Sequence, residues 1–281
     1  MNQAGILIIG VIYNTYAETL RYLESLSSVT PGTFTLILVD NSDKPPAPGF
    51  LEKIKTYPFL HYFHTGKNMG YFGGAREGLK HYLGKYADYP LWILVTNVDI
   101  VFTPQFFTRL EQLGDPANLG VLAPAIISKR WNADYNPKIT ARYSKKKLQF
   151  YLFLYSSFLF HNAFLVAAYM KKLVAGLRRG NSSRKESDGL PGRKIYAPHG
   201  SCLVFHRNYF ARGGTLDLPN FLFGEEVLVG ETALQAGLDV AYYPGLVIYD
   251  YEHASTGFFV TPVMNRYNRE AIRAILDRYY R

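Results

Sequence analysis

Three uncharged runs, each closed by a polar break, constrain this chain more than any other feature. Residues 6–13, 34–39 and 91–96 carry no charged side chain and are rich in Ile, Leu and Val. Runs of this kind suit strands buried on both faces, as in a parallel sheet covered by helices. The first ends at Asn14, the second in Asp40-Asn41-Ser42-Asp43, the third in Asn97-Val98-Asp99. Helical patterns fall between them: residues 19–26 place Leu20, Leu23 and Leu26 on one face, and residues 75–86 follow a glycine-rich loop. Residues 60–64 read as a short strand, 104–113 as a helix and 120–127 as a further strand. The alternation predicts an α/β fold with a mostly parallel central sheet and helices on both faces.

In such a sheet the C-terminal strand ends gather along one edge, where open α/β folds bind ligands. Tyr13-Asn14, Asp40-Asn41, the loop from Gly66 and Asn97-Asp99 all follow predicted strand ends. Each alone is an ordinary set of turn residues; their convergence on one edge points to a nucleotide site. Val98 sends Asn97 and Asp99 to the same side if the extended geometry persists. Asp99 could hold a divalent cation against a phosphate, or simply cap the next helix. The loop at residues 66–78 is neither a Walker loop nor a Gly-x-Gly-x-x-Gly fingerprint. It offers close backbone approach at Gly70, Gly73 and Gly74, a helix N-terminus, and the cations Lys67 and Arg76.

Charge is uneven. The chain of 281 residues has a formal net charge of +9, yet residues 129–194 hold 15 Lys+Arg against 3 Asp+Glu, a local +12, leaving −3 for the rest. Basicity therefore belongs to one insert. Residues 148–170 within it carry no charged side chain. As a single span they would divide one α/β domain across a bilayer, so an interfacial helical arrangement breaking near His161-Asn162 is expected, docked on anionic headgroups through residues 145–179. An oligomer contact or packing on the domain itself is the alternative. The insert has no nucleic-acid motif, and no nucleic-acid partner is expected. After it come a strand at 201–206, a helix following Glu225-Glu226, a late strand at 240–243, a polar-tipped segment at 247–253 and a C-terminal helix at 265–280. The single cysteine, Cys202, rules out an internal disulfide and fits a reducing compartment.

Several segments resemble a known family. Val11-Ile12-Tyr13-Asn14, Val39-Asp40-Asn41-Ser42, Asn68-x-Gly70-x-x-Gly73-Gly74, Asn97-x-Asp99 and Phe221-x-x-x-Glu225-Glu226 occur in the order found in family-2 glycosyltransferases of GT-A fold. The bacterial rhamnosyltransferase-like branch, which builds surface polysaccharides, is the most similar. The resemblance covers most of residues 5–128 and 195–257. It implies a nucleotide-binding half at 1–128, the insert at 129–194, an acceptor half at 195–260 and a terminal helix at 261–281. It also implies a nucleotide-diphosphate sugar donor, a glycan or lipid-linked glycan acceptor, Mn²⁺ or Mg²⁺, and inversion at the anomeric carbon. Tyr13, Asn14 and Asp40 would hold the nucleoside, Asn68, Gly70, Gly74 and Arg76 the diphosphate, and Asn97 the sugar or a water. Asp99 and His253 would ligate the metal, and Glu226 would be the general base. A cytoplasmic enzyme, peripheral at the inner face of the membrane and with a homo-oligomer as one option, is the expectation.

Three positions depart from the family pattern. Asn97 replaces the first Asp of the metal motif, Glu225-Glu226 stands for Glu-Asp, and Arg76 for a frequent Asn. Two other functions compete. A sugar-nucleotide nucleotidyltransferase would want a Gly-x-Gly-Thr-Arg loop, which residues 9–15 lack. A catalytically inactive sugar-binding scaffold is the non-enzymatic alternative.

Overall fold

The computed structural model describes residues 5–29, 34–178, 192–251 and 260–280. Chain contacts divide it into two compact units. The larger comprises residues 1–142, 189–218 and 225–253, and the smaller residues 143–188, 219–224 and 254–281. Residues 129–142, grouped with the insert by sequence, thus cluster with the larger unit.

The larger unit is built on one sheet. Strand β1 (Ile6–Ile12) is flanked by β2 (Phe34–Asp40) and β4 (Trp92–Asn97), and β3 (Leu60–His64) pairs with β2, all parallel. The second half is mixed. β8 (Cys202–His206) runs antiparallel to β4 and to β6 (Leu119–Ser128). β6 is parallel to β9 (Asp239–Asp250), and β5 (Ile100–Phe102) and β7 (Arg193–Ile195) pair antiparallel with β9. The two late segments read separately from sequence are one strand, with a register shift against β6 between Pro124 and Ala125.

Burial on both faces explains why the three uncharged runs hold no charged residue. Ile6, Ile8 and Ile12 face one core with Tyr22, Leu23 and Leu26 of α1 (Tyr16–Ser27) and Phe106, Phe107 and Leu110 of α4 (Phe106–Gln112). Ile9 and Val11 face the other way, onto α3 (Tyr71–Lys85). That helix lies against the sheet because Gly74 and Gly78 share one of its faces. A Cβ on Gly78 would stand 2.6 Å from Ile9 Cγ2, and one on Gly74 would stand 2.7 Å from Asn41 Nδ2. Each interior glycine costs about 1 kcal/mol of helix propensity relative to Ala, accepted here for close packing at the strand ends.

In the smaller unit, α5 (Lys145–Leu154) and α6 (Phe158–Arg178) accompany α9 (Pro262–Tyr279). The sequence placed a break at His161-Asn162. The chain breaks earlier, at residues 155–157, and His161 and Asn162 anchor α6. His161 Nδ1 lies 2.9 Å from Asn265 Oδ1, Asn265 Nδ2 donates to Tyr155 O at 2.9 Å, and Asn162 Nδ2 donates to Val260 O at 2.9 Å. Polar residues in an apolar run here satisfy neighbouring backbone and side-chain groups instead of terminating a helix. No helix among the described residues is long and apolar enough to cross a membrane.

Candidate active site

The parallel register brings the strand ends level. Ile12 pairs with Asp40, Asp40 with His64, and Val11 with Asn97, so the polar clusters share one rim. At β1, Asn14 adopts φ 56°, a left-handed turn that Asn tolerates, and its N–H donates to Ser42 Oγ at 2.9 Å. Tyr13 is 45% exposed and its hydroxyl donates to Asp43 at 3.2 Å.

Asp40 sits differently from its expected neighbours. It is 0% exposed, and its carboxylate accepts from Ser42 N at 2.9 Å, Tyr16 OH at 3.1 Å and Tyr62 OH at 2.8 Å. Those bonds compensate a buried charge and fix the turn at residues 41–43. Asp43, which sequence reasoning left unassigned, is the exposed carboxylate of this cluster.

The glycine loop is tied to the same turn. Asn41 Nδ2 donates to Gly70 O at 2.8 Å, and Gly70 N donates to Asn68 Oδ1 at 2.9 Å. Gly70 has φ 72°, which only a residue without Cβ adopts at little cost. Gly74 serves the packing of α3 on Asn41, as its lost Cβ space shows. Arg76 forms an ion pair with Asp217.

Asn97, Val98 and Asp99 keep the expected alternation: Val98 is 2% exposed and its two neighbours are half-buried. The end of β9 arrives beside them, with Tyr251 N donating to Asp99 O at 3.1 Å. His253 lies outside the described residues.

Residues 199–201 stitch this rim to α8 (Glu225–Gln235). Asn97 N donates to Ser201 O at 3.0 Å, Tyr71 OH donates to Gly200 O at 2.9 Å, and a Cβ on Gly200 would lie 3.2 Å from Glu226 Oε1. Glu225 and Glu226 stand in the first turn of α8, where the helix dipole favours a carboxylate. Burial pushes the Tyr71 hydroxyl well above its ordinary value, and Cys202, Glu225, Tyr22 and Asp99 push it the same way.

Lys138 and His199 were not singled out from sequence. Lys138 Nζ lies 2.8 Å from Glu226 Oε1. Burial alone would raise the Glu226 carboxyl; the Lys138 ammonium and its hydrogen bond, with smaller contributions from His199 and a backbone hydrogen bond, outweigh it and hold the group below its ordinary value. His199 stacks on Tyr135 with ring centroids 5.1 Å apart, and its Nδ1 lies 2.9 Å from Ser201 Oγ. Burial and Lys138 push it down to about 4 against the opposing Glu226 charge, so it is neutral at physiological pH. Nothing in the spacing of Lys138 and Glu226 signals the pair. One turn and a half further along α8, Glu231 is 1% exposed and takes a bidentate pair from Arg142 at 2.7 and 2.8 Å, plus the Tyr196 hydroxyl at 2.7 Å.

Among the described residues no group of three or more His, Cys, Asp or Glu could hold a metal ion. The donor set at the rim suits a different arrangement. One carboxylate, Asp99, with the remaining positions filled by substrate phosphates and water, is a usual environment for Mg²⁺.

A mostly parallel sheet with a rim of this composition defines the GT-A class of glycosyltransferase folds. Along 98% of its length the chain aligns with a crystal structure of GalNAc-T7 with UDP, GalNAc and Mn²⁺, at TM-score 0.62 and 14% identity. It spans only 49% of that chain. It also aligns with the mannosyltransferase PcManGT of Pyrobaculum calidifontis in complex with GDP-Man and Mn²⁺, at TM-score 0.52 and 13% identity, covering 96% of this chain and 70% of that one. At such identities the likeness concerns the fold. The family model for glycosyl transferase family 2 matches residues 7–211, and the chain belongs to that family. It is 24% identical over 260 residues to the N-acetylglucosaminyl-diphospho-decaprenol L-rhamnosyltransferase of Mycobacterium tuberculosis, covering 89% of this chain and 77% of that protein.

Proposed function

We propose that this glycosyltransferase moves a sugar from a nucleotide-diphosphate donor to a hydroxyl of a glycan or lipid-linked glycan acceptor, with inversion, in bacterial surface-polysaccharide synthesis. The observation that carries the reading is the stitch at residues 199–201. It holds Asn97 of β4 and Glu226 of α8 against one loop although they lie far apart in sequence. The M. tuberculosis relative, named for an L-rhamnosyl group and a diphospho-decaprenol acceptor, supports the lipid-linked class of acceptor.

The proposed division of labour follows position. Tyr13, Asn14, Asn68 and Gly70 line the nucleotide end, and Asn97 orients the donor sugar. Asp40, saturated by internal hydrogen bonds, acts on the nucleoside through the turn it braces. Arg76 reaches a diphosphate only by leaving Asp217, and Gly74 admits the helix that carries it. Glu226, held ionised by Lys138, accepts the proton of the acceptor hydroxyl as that oxygen attacks the anomeric carbon. Asp99, with His253 as the proposed second ligand, would hold Mn²⁺ or Mg²⁺, which when bound stabilises charge on the departing diphosphate.

A thermal-shift screen of UDP-, GDP- and dTDP-sugars with and without Mn²⁺, followed by transfer assays with the donor that binds, tests the reading. Donor binding should survive Glu226→Gln while transfer is lost, and Asp99→Asn should abolish the Mn²⁺-dependent part of the shift. Wild-type turnover in Glu226→Gln removes the base assignment. A product with retained anomeric configuration removes inversion, and no shift with any donor favours the inactive scaffold.

A further inference from the structure

We propose that α5 and the first half of α6 form a membrane-docking face that enters the headgroup region of an anionic leaflet. Large apolar side chains are exposed here in a concentration found nowhere else among the described residues: Phe150, Phe153, Leu159, Phe160, Phe164 and Met170 are between 40% and 66% exposed. They form one surface across both helices. The Phe153 and Phe160 rings stack at 6.2 Å, and Phe150 meets Phe164 edge-on at 6.3 Å. The opposite side is already occupied within the same unit, since Leu148 and Leu154 are buried and His161 and Asn162 are anchored to Asn265 and Val260. An apolar surface this continuous is costly in water and marks an interaction site.

Geometry and charge select the occupant. The two helices are bent by 114° at their break, so they do not continue one another as a single straight span, and exposed apolar side chains bordered by lysines suit an interfacial position. Residues 143–178 contain Lys145, Lys146, Lys147, Lys171, Lys172 and Arg178, and no Asp or Glu. Lys145, Lys146 and Lys147 are exposed at the start of α5. Exposed lysines at the start of α5, next to exposed aromatics in a segment whose only charged residues are basic, are complementary to anionic lipid. A second copy of the chain is a poorer partner, because a two-fold contact through this face would set like charges against each other. The inference rests on this face alone and is read without turnover, so its failure and that of the proposed transfer reaction are distinguishable.

Co-sedimentation of the full chain with phosphatidylcholine vesicles, with and without phosphatidylglycerol, tests it. Binding is expected to the anionic vesicles and to weaken with added salt. Substituting Lys145, Lys146 and Lys147 together by Gln should lower partitioning about a hundredfold, each basic residue near an anionic surface contributing roughly a factor of five. The double variant Phe153→Ser/Phe160→Ser should lower it about tenfold or more, with unchanged circular dichroism, since both side chains are exposed. Phe153→Trp should show a blue-shifted emission on adding anionic vesicles. The proposal is overturned if the wild type ignores vesicles, or if the Phe153→Ser/Phe160→Ser variant binds as the wild type does. It is equally overturned if that variant instead dissolves a dimer seen by sedimentation velocity in a wild type that does not bind vesicles.

Discussion

The Lys138–Glu226 pair makes the proposed base directly testable. In Lys138→Met the ammonium 2.8 Å from Glu226 Oε1 is removed while the carboxylate stays in place. A hydrogen bond to a charged group contributes about 1.5–3 kcal/mol. Lys138 is 40% exposed, and solvent screening puts the effect toward about 1.5 kcal/mol, close to a factor of ten. The sign follows from the direction of the shift. Lys138 holds Glu226 below the ordinary carboxylate range, so without it the base protonates at higher pH. The acid limb of the kcat/KM profile should therefore move to higher pH, with rates on that limb about tenfold lower than wild type. Lys138→Arg should restore the limb. His199, pushed down to about 4 by burial and Lys138, also lowers Glu226, so the comparison is made in a His199→Gln background; Glu225 would act in the opposite sense to Lys138. The same pair links to stability. A depressed carboxylate stabilises the fold above its unfolded-state value, and that contribution is lost as pH falls through the folded value. Lys138→Met should thus begin acid unfolding at higher pH. An acid limb that stays where it was in Lys138→Met would refute the assignment of Glu226 as the titrating base.

Other outcomes can be checked on the scaffold. Arg142→Met strands the buried Glu231, and the loss of a buried pair costs about 3–5 kcal/mol. Arg142 is 44% exposed and Tyr196 keeps its bond, so about 2 kcal/mol and a Tm lower by about 4–8 °C are expected; the Arg142→Met/Glu231→Met double variant should recover most of it, and an unchanged Tm in the single variant would contradict the pair. Gly78→Ala should destabilise by about 1–2 kcal/mol in urea melts, because overpacking against Ile9 and Val39 exceeds the helix-propensity gain. Gly84→Ala, whose Cβ would meet nothing within 4 Å, should instead stabilise by up to about 1 kcal/mol; equal effects at the two sites would show that close helix–sheet packing is not what requires Gly78.

Local pattern made the strands legible. A strand covered on both faces disfavours charge, so β1, β2 and β4 stand out as runs with no charged residue before their last position, and charge returns only where the chain leaves the sheet. Parallel pairing then forces those exits onto one rim, which is why Asn14, Asp40 and Asn97 could be grouped before any coordinates. The break between α5 and α6 was misplaced because composition cannot tell a polar residue that ends a helix from one that bonds to another helix, as His161 and Asn162 do with α9 and Val260.

What the sequence determined by itself is thus the α/β class, the shared rim and the concentration of basic charge in one insert, because periodicity and charge exclusion are local properties of a chain. What only the tertiary structure decided is which rim residues have spare bonding capacity and which partners they meet. Asp40 is spent on Tyr16, Tyr62 and Ser42, Arg76 is engaged by Asp217, and Glu226 is met by Lys138. Apart from the local turn bond from Ser42 to Asp40, those pairings join residues from 22 to 141 positions apart, and no local pattern encodes them; only the sheet register and the seating of α3 and α8 bring the groups within hydrogen-bonding distance.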